Sequence, residues 1–166
     1  MSVTETHKEA TKAATEFECI NPILRVSDLA ASMEYYVRVL GFKVDWHYED
    51  VIASVSRDQC HIFLCAGDQG NPGSWVWIGV GDAEALFGEY KSKGAKVRNP
   101  PGNFPWAYEM QIEDLDGNVL RMGSEPKPGA VDGKWRDMRG DLWERTPEGG
   151  HRRVPQEGSN LHSLKD

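Results

Sequence analysis

The side chains of this sequence that can do chemistry fall into three sets. His47, His61 and Glu109 carry nitrogen and oxygen donors, and a catalytic metal needs three or four such ligands plus an open position. Cys19, Cys60 and Cys65 are the three cysteines. An odd, small number of cysteines without an export signal argues for reduced thiols and not for a disulfide framework. Cys60 and Cys65 are five residues apart, on opposite faces of a strand, and the chain has neither a CxxC pair nor a Cys/His zinc pattern. All three are expected to be small buried hydrophobes. The third set is aromatic. Phe63, Trp75 and Trp77 share a face if their strands are regular, and Trp46 and Trp106 occupy corresponding places further on, with Tyr108 two residues after Trp106. Such rings offer large apolar area and stack on flat or cationic ligands.

Two polar residues belong beside the aromatics. His61 lies two residues before Phe63 and so shares its strand face. Arg121 is a fixed cation that needs a partner, either a nearby carboxylate such as Glu109 or an anionic group on a ligand. No nucleophile elbow, phosphate-binding loop or paired-carboxylate motif occurs. The residues therefore point to binding more than to catalysis, and no catalytic residue is assigned.

Charge narrows the ligand. Of the net charge of −7 over 166 residues, positions 18–124 account for −6, with fifteen acidic side chains against nine basic. An acidic body disfavours nucleic acid and anionic membranes, which require clustered Lys and Arg, and tolerates a cationic small molecule. The sequence has 39% hydrophobic and 27% charged residues and no apolar run long enough for a membrane span. Its first eighteen residues are polar and lack the apolar stretch of a secretory signal, so the expected compartment is the cytoplasm.

The elements that position these residues are written twice. Residues 20–26 read as a strand, and Asp28 caps a helix whose Leu29, Met33, Tyr36, Val37 and Leu40 recur at helical spacing until Gly41 stops it. Strand-like runs follow at 42–47, 51–57 and 60–65, and residues 67–74 form a loop. The order then repeats. A strand spans 75–80, Asp82 caps a helix carrying Leu86, Phe87 and Tyr90, Gly94 stops it, and strands follow at 95–97, 106–112 and 119–123. The last two are joined by Asp114-Leu115-Asp116-Gly117-Asn118, a strong turn signal. Each copy is a βαβββ module, 19–66 and 75–124. One sheet with one helix cannot cover both its faces, so two modules should build an α+β domain whose curved mixed sheet has helices outside and a concave ligand cavity inside. Residues 1–18 form an N-terminal arm. Residues 125–166 form a partly ordered extension, with a short hairpin expected around Lys134 to Arg145 that packs on the core or on a neighbouring subunit.

The tandem modules, the segment Leu24-Arg25-Val26-Ser27-Asp28-Leu29-Ala30-Ala31-Ser32-Met33-Glu34-Tyr35-Tyr36, the Leu40-Gly41-Phe42 stop and the run Asp114-Leu115-Asp116-Gly117-Asn118-Val119-Leu120-Arg121 together resemble the vicinal-oxygen-chelate superfamily of glyoxalases, extradiol dioxygenases and bleomycin-resistance proteins. The resemblance covers residues 19–124. Metal-dependent members carry His, Gln or Glu on the first and last strands of each module, facing the cavity. Carried across by position, those places hold Asn21, Phe63, Trp75 and Arg121. Phe and Trp have no lone pair to give a metal, and Arg would repel one. The resemblance is thus closest to the bleomycin-resistance branch, whose members work without metal or cofactor as homodimers that sequester a bulky cationic drug at the subunit interface and so confer antibiotic resistance. It implies a ligand-binding set of Asn21, Trp46, His61, Phe63, Trp75, Trp77, Trp106, Tyr108 and Arg121, with a bleomycin-like drug as the model ligand. Two other readings stay open. One is a metal-dependent glyoxalase-like lyase, isomerase or dioxygenase with ligands relocated to His61, His47 and Glu109. The other is an interaction module in which the extension docks a protein partner.

Overall fold

The computed structural model describes residues 18–128, 134–136, 141–146, 148 and 150–155. The expected N-terminal arm, apart from Glu18, and parts of the C-terminal extension lie outside them. The first module runs β1 (Ile23–Arg25), α1 (Leu29–Arg38), β2 (Lys43–Tyr48), β3 (Ile52–Arg57) and β4 (Cys60–Cys65). The second runs β5 (Trp75–Gly79), α2 (Ala83–Ser92), β6 (Lys96–Asn103), β7 (Tyr108–Glu113) and β8 (Val119–Ser124). Each module is one four-stranded sheet, ordered β1-β4-β3-β2 and β5-β8-β7-β6. In both, the first strand pairs parallel with the last and the other pairs are antiparallel.

The repeated helix signals act as read. The Asp28 carboxylate accepts from the Ala31 N–H at 2.9 Å and that of Asp82 from the Ala85 N–H at 3.0 Å, satisfying a donor that the helix start leaves open. Gly41 and Gly94 take φ of 74° and 75°, the left-handed conformation that ends a helix at little cost only for glycine. Just beyond them, Phe42 N–H bonds back to the Tyr36 carbonyl and Ala95 N–H to that of Tyr90, each at 2.9 Å. The apolar stripe of α1 departs from expectation at one place. Val37 is exposed, and Ser32 is buried instead, its hydroxyl 3.3 Å from Asp116 of the second module.

The two sheets do not join into one. As strands, β1 and β5 each pair only with the last strand of their own module. The modules meet through their helix-bearing faces, where Leu24, Tyr36, Leu40, Val55 and Leu64 of the first share one buried cluster with Tyr90, Met110, Ile112, Leu120 and Met122 of the second. The helices therefore lie toward this shared core, and each sheet turns its other face outward. The Asp114–Asn118 turn is the fastener. Asp114, itself buried, accepts from the Tyr36 hydroxyl at 3.1 Å and from the N–H groups of Asp116 and Asn118 at 2.9 and 2.8 Å. Asp116 accepts from Ser27 N–H at 2.8 Å, and the Asn118 amide donates to the Arg25 carbonyl at 2.9 Å.

Differences at the edges have local causes. The strand expected at 95–97 continues to Asn103 through Pro100 and Pro101, because β6 is an edge strand with bulges, where a missing N–H costs little. In the extension, β9 (Lys134–Arg136) and β10 (Leu142–Arg145) form the expected hairpin, and β11 (His151–Arg153) adds a third antiparallel strand. Among the described residues no helix is long and apolar enough to cross a membrane. The cysteines are free, but only Cys65 is buried; Cys60 is half-buried, and Cys19, which precedes the first strand, is exposed among the described residues.

Candidate functional site

Alternation along the strands divides each sheet into a core face and an open face. In the first module Ala53, Val55, Ile62 and Leu64 enter the core, which leaves Ser54, Ser56, His61 and Phe63 on the other side. A bulge in β2 between Val44 and Trp46 places both Asp45 and Trp46 on that same open side. The Trp46 and Phe63 rings lie 5.4 Å apart, tilted by 59°. Beside them the Asp45 carboxylate accepts from the Ser56 hydroxyl at 2.7 Å, from Ser54 at 3.2 Å and from His61 Nδ1 at 3.3 Å. Chiefly the Ser56 hydrogen bond, then those of Ser54 and His61 and the charge of Lys43, hold the Asp45 carboxyl below the usual carboxylate range against a smaller opposing effect of desolvation.

In the second module Met110, Ile112, Leu120 and Met122 enter the core, and Trp75, Trp77, Glu109, Gln111 and Arg121 take the open face. Trp77 lies against bare backbone. A Cβ added at Gly79 or Gly123 would stand 3.2 Å from its ring, so a side chain at either position would push the indole out by a few tenths of an ångström. The Arg98 guanidinium sits 5.2 Å from the centre of the Trp75 ring. Arg121 finds its partner in Glu109. Its Nη2 donates to both carboxylate oxygens at 2.8 Å, and Trp106 Nε1 donates to the same carboxylate at 3.2 Å. Trp106 in turn stacks on Phe104, with ring centres 5.2 Å apart. Trp46, Trp75, Trp77 and Trp106 are left 47%, 52%, 57% and 50% exposed.

Three residues stand elsewhere. Tyr108 is buried on the core side, its hydroxyl donating to Glu84 of α2, with Lys127 Nζ 3.9 Å from its ring centre. Burial, then the Glu84 bond, pushes its pKa up. Its two-residue spacing from Trp106 does not put the two on one face, because Trp106 lies in the turn before β7 begins. His47 pairs in register with Ala53 and so points away from His61, while Glu109 is committed to Arg121. The relocated metal set of His61, His47 and Glu109 is therefore not assembled within the chain. Asn21 lies before β1, and its amide is 3.6 Å from Cys19 Sγ. Asp45 and Phe104, which the sequence reading passed over, join the site. The run Val44-Asp45-Trp46 carries no signal of its bulge, whereas Phe104 was legible as an aromatic two residues from Trp106. A cavity of about 470 Å³ opens at the junction of the modules, lined by Phe42, Arg57, Ile78, Leu86, Tyr90 and Met122 among others; it contains none of the aromatics of the open faces.

The positions that the family resemblance ties to metal ligands do not fit a metal. Phe63 and Trp75 are carbon at the sheet surface or carry only an N–H donor, and Arg121 holds a positive charge at its place. Among the described residues no three His, Cys, Asp or Glu side chains gather as a metal site.

No curated protein matches the chain significantly. Solved structures do. The bleomycin-binding protein from bleomycin-producing Streptomyces verticillus, complexed with copper(II)-bleomycin, is 22% identical with a TM-score of 0.57, over 66% of this chain and 98% of that one. TnmS3, an antibiotic binding protein from Streptomyces sp. CB03234, is 21% identical with a TM-score of 0.60, over 68% and 99%. TioX from Micromonospora sp. ML1 is 17% identical with a TM-score of 0.57, over 65% and 99%. At these identities the likeness shows a common fold. The sequence model of the Glyoxalase/Bleomycin resistance protein/Dioxygenase superfamily matches residues 18–122, well over half of the chain. With its tandem βαβββ sheets and its aromatic open faces, the chain belongs to that superfamily.

Proposed function

We propose that this protein is a metal-free binding protein that sequesters a flat aromatic or cationic small molecule, with bleomycin as the model ligand. The observation that carries the reading is the exposure of four tryptophans, Trp46, Trp75 and Trp77 on the open sheet faces and Trp106 in the turn before β7, each left about half open to solvent by the described residues. Exposed apolar area of this kind marks a binding surface. Two copies acting as a homodimer would bring the Trp46–Phe63 face of one against the Trp75–Trp77 face of the other and close a groove with aromatic walls. The acidic balance of residues 18–124 favours a cationic guest. In this reading the C-terminal extension covers the groove and limits what enters. Titration with bleomycin, followed by tryptophan fluorescence, tests it. Saturable quenching is expected in the wild type and at least about fivefold weaker binding in Trp46→Ala and Trp75→Ala, since a stacked aromatic contributes about 1 kcal/mol or more. Failure of the wild type to bind any flat or cationic aromatic would sink the reading.

A further inference from the structure

The open face of the first module carries more than a hydrophobic wall. Asp45 reaches it only because of the bulge, a device that re-aims side chains and recurs next to functional sites. Its carboxylate is largely shielded, at 21% side-chain exposure, and is held by two hydroxyls, Ser54 and Ser56, that are themselves buried. A carboxylate accepts and does not donate, so the 3.3 Å contact with His61 requires the imidazole proton to sit on Nδ1. In the neutral ring Nε2 is then a lone pair, and it makes no hydrogen bond among the described residues. His61 is 44% exposed and two residues from Phe63, on the face that Trp46 and Phe63 share.

We infer that Asp45 is a positioning residue that fixes His61 as a hydrogen-bond acceptor, and that the ligand class served is a flat aromatic carrying an acidic ring hydroxyl. The ring stacks on Trp46 and Phe63, and its hydroxyl donates to Nε2 of His61. This rests on the aromatic-binding reading above and adds what that reading lacks, a polar group that selects among flat molecules. A bare apolar wall discriminates weakly between analogues that differ by one hydroxyl, whereas a preset acceptor rejects the analogue that cannot donate. Lys43, 3.6 Å from Asp45 on the other carboxylate oxygen, neutralises the aspartate without competing for Nε2.

The test compares 1-hydroxypyrene with 1-methoxypyrene, of nearly the same size and flatness but only the first a donor, by probe fluorescence anisotropy on the full chain. The hydroxyl probe is expected to bind about tenfold tighter in the wild type, the worth of one well-placed hydrogen bond. The ratio should fall to about one in His61→Phe, which keeps a ring at the position, and should drop in Asp45→Ala. A ratio of one in the wild type overturns the inference and leaves the aromatic reading standing. If neither probe binds while bleomycin does, the inference falls and the aromatic reading stands. The tautomer is read independently, without any ligand, from the ring-nitrogen shifts of His61 by NMR. A proton on Nδ1 supports the assignment, and a proton on Nε2 overturns it whatever the probes do.

Discussion

Arg121 Nη2 stands 2.8 Å from both carboxylate oxygens of Glu109, whose side chain is only 4% exposed. At a place that resemblance ties to a metal ligand, this chain has an arginine, and it answers the charge of the buried Glu109 carboxylate. Breaking such a pair leaves an unpaired charge in a dry place. Arg121→Met should therefore lower stability by about 3 kcal/mol. The double variant Glu109→Gln/Arg121→Met should regain most of the loss. Urea unfolding of the four proteins measures this, and an additive double variant would show that the two groups act independently.

The Asp114 turn should matter more than either helix cap. Asp114 gathers the Tyr36 hydroxyl, two backbone N–H groups and the Asn118 amide, while Asp82 gathers one backbone N–H. Each buried donor left without a partner costs about 1–3 kcal/mol, whereas a lost cap costs about 1. Asp114→Ala should thus destabilise by at least about 3 kcal/mol against about 1 for Asp82→Ala. Equal midpoint shifts in urea would contradict the fastening role.

The repeat, its caps and its stops were legible because they are local. A capping aspartate, a helical stripe and a left-handed glycine each act through their nearest neighbours, so Asp28 and Gly41 could be matched to Asp82 and Gly94 from the sequence. What lay beyond reach depended on the rest of the fold. The strand expected at 95–97 runs on through Pro100 and Pro101, which an edge strand tolerates. The bulge at Asp45 shifts the alternation by one, and no residue type announces it. The start of β7 after Trp106 sends Tyr108 to the core. Above all, alternation says that a strand has two faces without saying which module covers which. The aromatics were expected around a cavity inside the chain and lie instead on faces turned away from the shared core.

Stability should decline at high pH through Tyr90. This tyrosine is buried, with its hydroxyl 3.2 Å from the Leu40 carbonyl, and burial foremost pushes its pKa up to about 12. A free tyrosine ionises near 10. The fold favours the neutral phenol, so its contribution is whole below about pH 10 and is lost progressively as pH rises to about 12, where the folded form also ionises. Chemical unfolding of the wild type and Tyr90→Phe between pH 9 and 12 should show the wild type losing stability more steeply. Parallel curves would mean that Tyr90 is not the group responsible.

The open tryptophans should hold the dimer together at little cost to the monomer. Trp75→Glu/Trp77→Glu places charge where an apolar face is expected to be covered. Sedimentation velocity should find a dimer for the wild type and a monomer for the variant, with unfolding stability changed by less than about 1 kcal/mol, as befits exposed positions. A wild-type monomer across micromolar to near-millimolar concentration would remove the shared groove.

The central claim is that binding rests on aromatic walls and needs no metal. Its most direct test is a titration of the wild type with a flat aromatic cation that binds no metal itself, such as ethidium, read by tryptophan quenching, after exhaustive treatment with chelator and again with zinc, nickel or manganese added. The account predicts saturable binding with the same Kd in every condition and no metal retained in stoichiometric amount. Binding that disappears in chelator and returns with one of the added metals would contradict it.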